Sequence, residues 1–144
     1  MTRTRTGFSL VELMIVVVIV GILAAVAIPM MQGRSDASKW SEAKNSMGVI
    51  ASALRAYTIG REDFCGAPTL AELGIRDTDL DGTYFSHEAF AITSAAMTGG
   101  HMSYVITCTA ADSTRDGAPT VPPIMTLTCN SDNQYTATFA QQGG

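Results

Sequence analysis

Residues 8–31 read FSLVELMIVVVIVGILAAVAIPMM, an almost unbroken apolar run with a single acid, Glu12. At 1.5 Å per helical residue such a run reaches across the roughly 30 Å hydrocarbon core of a bilayer. Val and Ile are weak helix formers in water. In lipid every backbone polar group needs an internal partner, so a helix is the expected state.

The sequence on either side of the run differs in charge. Arg3 and Arg5 precede it, whereas Glu62, Asp63, Glu72, Asp77, Asp79, Asp81, Glu88, Asp112, Asp116 and Asp132 all follow it. That asymmetry keeps the N-terminus in the cytoplasm and sends the acidic remainder across the membrane. The 144-residue chain is 47% hydrophobic, and much of that excess sits in the run. The net charge of −4 offers no clustered Lys and Arg for phosphate backbones, so no nucleic-acid partner is indicated. Cys65, Cys108 and Cys129 fit an exported chain with one disulfide and a leftover thiol. None of them has the CxxC spacing of a zinc or thioredoxin-like site.

A cleavable secretory signal is the plainer alternative, with Arg3 and Arg5 as its basic region and Ala25-Val26-Ala27 as its cleavage site. Glu12 argues against it. A carboxylate in a membrane helix costs roughly 2.5–3.5 kcal/mol on insertion scales. A disposable segment has no use for that charge; a retained helix that pairs it with a cation does.

The run Gly7-Phe8-Ser9-Leu10-Val11-Glu12-Leu13-Met14-Ile15-Val16-Val17 resembles the prepilin signature of type IV pilins and type II secretion pseudopilins: a short basic leader ending in Gly, then Phe, then Ser/Thr-Leu-hydrophobic-Glu. Gly21-Ile22-Leu23-Ala24-Ala25 and Ala27-Ile28-Pro29 continue the likeness, which covers about the first quarter of the chain. The resemblance implies that a prepilin peptidase cuts between Gly7 and Phe8 and methylates the new Phe8 amine. It also implies that Glu12 pairs with that amine on a neighbouring subunit. A buried, paired charge of this kind fixes register between helices. Pro29 lacks an N–H and frees the carbonyl near Ala25, so it bends the helix. In filaments of this family the Gly21-to-Pro29 segment loses helicity; a kink with a small-residue packing face is the simpler alternative.

After Pro29 the pattern turns amphipathic. Trp40, Ala43, Met47, Ile50, Leu54 and Tyr57 recur at steps of three and four, with Asp36, Lys39, Glu42, Lys44, Asn45 and Arg55 between them. Gly60 is a stop signal. One helix over residues 9–59, ~75 Å by the helical rise, is therefore expected, its second half laid on a head domain. In the head, residues 62–73 read as a loop and short turn. Strand-like runs follow at 83–85, 89–93, 102–109, 123–129 and 134–139, with Gly99-Gly100 and residues 130–133 as turns. Residues 110–122 read as a polar surface loop. The expected fold class is α+β, the pilin fold: a long N-terminal transmembrane and amphipathic helix packed on an antiparallel sheet. The expected organisation is a leader at 1–7, a transmembrane or filament-core helix at 8–31, an amphipathic extension at 32–60 and a sheet head at 61–144.

Cys108 and Cys129 lie near the ends of neighbouring strand-like runs, and a disulfide between them resembles the C-terminal loop of many pilins. Cys65 is an alternative partner for either. Asp77, Asp79, Asp81, Gly82 and Glu88 fit the D-x-D-x-D-G-x5-E pattern of a calcium loop. The strand-like residues Thr83, Tyr84 and Phe85 within it favour an Asp-rich turn instead, and neither a metal nor a cofactor is expected. His87 and His101 stand apart from any nucleophile motif, so no catalytic residue is assigned and the chain is not expected to be an enzyme.

The expected function is that of a structural subunit of a type IV pilus-like filament. It polymerises with like subunits and meets prepilin peptidase, an inner-membrane assembly platform and the membrane. It is an inner-membrane precursor, then part of an extracellular pilus or a periplasm-spanning pseudopilus. A pseudopilin of a type II secretion system and a membrane-tethered binding domain are the alternatives.

Overall fold

A computed structural model of the chain describes residues 7–61 and 63–143. Arg3 and Arg5 of the expected leader, and Glu62 of the expected loop, lie outside them. Helix α1, Leu10–Thr58, is a single element that runs through Gly21 and Pro29 and ends within one residue of expectation at either side. Gly60, at φ +80°, follows its last turn. The chain forms two compact units, Met1–Ser35 and Asp36–Gly144.

In the first unit α1 is apolar on all sides. Leu10–Ile28 has a mean hydropathy of 3.0, and none of it is buried within the chain. It is the one helix among the described residues long and apolar enough to cross a membrane.

In the second unit the rest of α1 lies on a five-stranded antiparallel sheet, confirming the α+β class. The strands are β1 (Phe64–Cys65), β2 (Phe90–Thr98), β3 (His101–Thr109), β4 (Ile124–Cys129) and β5 (Thr138–Gln142), each paired with the next in chain order. A four-residue helix α2, Asp77–Leu80, and two 3₁₀ turns, His87–Ala89 and Ala110–Asp112, complete it.

Of the predicted stripe, Trp40, Ala43, Met47, Ile50 and Leu54 are buried and Tyr57 is half-buried; Ala51 joins them in the core. The sheet meets it with alternate residues, Tyr104, Ile106 and Cys108 from β3, and Met125, Leu127 and Cys129 from β4. Each aliphatic side chain buried here contributes about 1.5–3 kcal/mol. The Tyr104 hydroxyl, buried with its ring, accepts a hydrogen bond from Arg55 Nη2 at 3.0 Å. A bulge between Ile92 and Ser94 shifts the inward phase of β2, from Phe90 and Ile92 to Ala95 and Met97. The β2–β3 hairpin turns on Gly99 and Gly100, at φ +58° and +79°. A two-residue turn whose twist suits the strands requires positive φ at both positions.

Four expectations are corrected. Residues 83–85 are not a strand, because their amides are taken by a helix side chain, as described below. β1 forms in the predicted connecting loop, with Phe64 opposite Met97. The last strand begins at Thr138 rather than at residue 134, since Gln134 and Tyr135 turn the chain at φ +55° and +57°. The Cys108–Cys129 disulfide is absent, and all three cysteines are free thiols. The β3–β4 register places Cys108 opposite Met125, and Cys129 opposite Tyr104. Four residues of strand separate the two thiols, ~13 Å at ~3.3 Å per residue, and a disulfide tolerates at most ~7 Å between Cα atoms.

Candidate functional site

Gly7, Phe8 and Ser9 precede α1 without regular structure, and Phe8 is 82% exposed. Glu12 falls in the first helical turn. A carboxylate there faces the positive end of the helix dipole. It is exposed, and it forms no ion pair among the described residues. From Leu10 to Ile28 every large apolar side chain is exposed, the least of them, Val16, at 49%. Val11, Met14, Ile15, Val18 and Ile19 line a shallow apolar groove along one side. Their i, i+3, i+4, i+7, i+8 spacing is that of ridges that receive another helix. A helix that is apolar all round needs lipid or other helices around it. Gly21 adds no contact, and a side chain there would meet open space.

Several polar groups of the head unit hold its own loops in place. The Glu42 carboxylate accepts hydrogen bonds from the amides of Thr83 (3.0 Å), Tyr84 (2.9 Å) and Phe85 (2.9 Å). Phe85 is thereby held in the core, its ring centroid 5.0 Å from that of Trp40. Ser86 and Ser113 lock the same segment to the loop after β3. The Ser86 amide donates to Ser113 Oγ (3.1 Å), Ser113 Oγ donates to the Tyr84 carbonyl (3.0 Å), and the Thr114 amide donates to Ser86 Oγ (2.9 Å). Thr69 and Glu72 cap the predicted short turn reciprocally. The Thr69 amide donates to Glu72 Oε2 at 2.7 Å, and this bond is the main cause that holds the Glu72 carboxyl below its ordinary value.

The acids of the calcium-like pattern take different partners. Asp79 binds the Arg76 guanidinium and amide. Asp81 binds the His87 amide, the His87 ring and Arg115. Asp77 and Glu88 both face the His87 ring. Among the described residues no group of three or more His, Cys, Asp or Glu is arranged to hold a metal ion. The segment enters the His87 turn rather than a strand. Burial pushes the Cys108 thiol up to about 12, helped by the charge of Asp112. Glu42 and the Ser86–Ser113 pair were not foreseen. Glu42 reads as one more polar residue beside the stripe, and its partners are amides, which have no sequence signature.

The similarity to known proteins is concentrated at the N-terminus. Residues 2–28 match the family model for the prokaryotic N-terminal methylation motif. It is 46% identical over 57 residues to the type II secretion system core protein G of Pseudomonas aeruginosa, covering 40% of each chain. It is 49% identical over 51 residues to the type IV major pilin protein PilA of Myxococcus xanthus, covering 35% of this chain and 23% of that one. It is 37% identical over 84 residues to a type IV major pilin protein PilE1 of Neisseria gonorrhoeae, covering 58% of this chain and 51% of that one. The chain thus spans about half the length of these relatives, or less. By name they are pilins and a secretion-system component.

Proposed function

We propose that this chain is a structural subunit of a type IV pilus-like filament. It is made as a membrane-anchored precursor, cut between Gly7 and Phe8 by a prepilin peptidase, methylated at the Phe8 amine and assembled through its N-terminal helix. The observation that carries this reading is the exposed, all-round apolar surface of Leu10–Ile28 with one acid, Glu12, at its head. Lipid covers that surface in the precursor; the N-terminal helices of like subunits cover it in the filament. Cleavage creates a cation at Phe8, methylation preserves it, and Glu12 pairs with the Phe8 amine of a neighbour. An unpaired carboxylate among packed apolar helices is costly, so only the register that pairs it is stable. The Gly21-to-Pro29 segment is helical in the single chain; loss of helicity there belongs to the assembled state.

The likeness to core protein G favours one second reading, a periplasm-spanning pseudopilus subunit. Mass spectrometry of sheared surface filaments separates the two. A surface pilus subunit is abundant there, whereas a pseudopilin is missing and its deletion impairs secretion. Processing is tested by Gly7→Val, which leaves uncut precursor in the membrane. Normal cutting of that variant overturns the assigned site.

A further inference from the structure

The function proposed above uses the N-terminal helix and leaves one cluster of charged side chains on the head without a role. His87, in the turn that leads into β2, presents both ring nitrogens to carboxylates. Nδ1 is 3.3 Å from Asp81 Oδ1 and 3.5 Å from Glu88 Oε2, and Nε2 is 3.8 Å from Asp77 Oδ2. The His87 amide also donates to Asp81 Oδ1, at 3.0 Å. A neutral imidazole carries one N–H, and its other nitrogen is a lone pair. With acids on both sides, one carboxylate would then face that lone pair. Only the imidazolium donates in both directions. Asp77 begins α2 and Asp81 follows it, so the charged ring joins the two ends of that helix to the start of β2.

We propose that His87 is a pH-operated latch: protonated, it bridges Asp77 and Asp81 and holds the segment from α2 to the His87 turn closed, and on deprotonation it releases that segment. The surrounding charges agree. From the loop after β3, Arg115 Nη2 lies 3.2 Å from the other oxygen of Asp81. Asp112 of the neighbouring 3₁₀ turn acts on the Cys108 thiol, and Asp79 is turned to Arg76. When the ring loses its charge, Asp77, Asp81 and Glu88 are left around a neutral ring, with Arg115 paired to Asp81 from the other side. Desolvation pulls the His87 imidazole down, but the Asp81 hydrogen bond and the charges of Asp77, Glu88 and Asp81 outweigh it, so it titrates above its ordinary 6.5. A raised value in the folded chain means that the contribution is fully present below 6.5 and is lost as the pH rises through the folded value. The Glu42 carboxylate holds the amides of Thr83, Tyr84 and Phe85 from α1, apart from the His87 ring, so release is local rather than global.

The test is hydrogen exchange by mass spectrometry on the full chain in detergent micelles, corrected for intrinsic rates, across roughly pH 5 to 9, which brackets the imidazole titration. Peptides covering residues 77–89 are expected to lose protection several-fold as the pH rises, while those of β3 do not change. His87→Gln abolishes the dependence. Asp77→Asn, which keeps the ring and removes one carboxylate, moves the midpoint to lower pH. Protection of residues 77–89 that is independent of pH in the wild-type chain overturns the latch. So does a dependence that survives His87→Gln, or a midpoint unmoved by Asp77→Asn.

Discussion

Glu42 fills the space that a side chain at position 82 would need: a Cβ built on Gly82 collides with the Glu42 carboxylate. Gly82 is thus fixed by close approach, not by an unusual backbone angle. The helix can reach the three amides of residues 83–85 only because position 82 is bare. Replacing Glu42 with Ala leaves the part-buried amides of Tyr84 and Phe85 without their acceptor, a loss of about 1–3 kcal/mol for each such group left unsatisfied. Gly82→Ala displaces the same carboxylate and destabilises in the same direction. Chemical unfolding of the two variants checks this. Unchanged midpoints in both would show that the clamp does not hold the segment.

Two neighbours on α1 give a sharper contrast. Ile50 is fully buried and Val49 is 53% exposed. Ile50→Ala is expected to cost about 2–5 kcal/mol, and Val49→Ala no more than about 0.5 kcal/mol. Equal effects in an unfolding titration would mean that the stripe is not the face that meets the sheet.

The three thiols differ in reach. Cys65 is exposed, whereas Cys108 and Cys129 are buried, and burial keeps the Cys108 thiol protonated at neutral pH. Alkylation of the native chain is expected to modify Cys65 alone. Denaturation without reductant exposes all three. One reactive thiol under those conditions would restore the disulfide that the β3–β4 register excludes.

The parts of this chain that could be read from sequence are those whose information is periodic. The run to Ile28 announces its own helix. The three-and-four spacing from Trp40 to Leu54 named the buried face before any sheet was known, and Gly99-Gly100 marked its hairpin. What escaped depends on contacts between distant positions. Residues 83–85 look like a strand because Tyr and Phe favour one, but Glu42, some forty residues earlier, takes their amides. The two-residue β1 has no pattern long enough to see. Register eluded the sequence as well. Cys108 and Cys129 lie near the ends of paired strands, yet only the pairing Tyr104↔Cys129 shows that they are at different levels. At the N-terminal helix the order is reversed: Gly7, Phe8 and Glu12 are legible as a motif, and the structure adds that Phe8 and Glu12 are exposed.

Glu12→Ala removes the one acid of the apolar run without shortening it. The variant is expected to insert in the membrane and be cut like the wild type, but to be incorporated poorly when expressed beside wild-type chain. Quantifying both forms in the filament fraction checks this, and equal incorporation would refute the pairing role.

The central claim, that cleavage after Gly7 frees the Phe8 amine and that the N-terminal helix is then buried among like subunits, is tested most directly by the mass of the N-terminal peptide of assembled chain. The account predicts a peptide that begins at a methylated Phe8. A peptide that retains residues 1–7, or one that begins after Ala27, would contradict it.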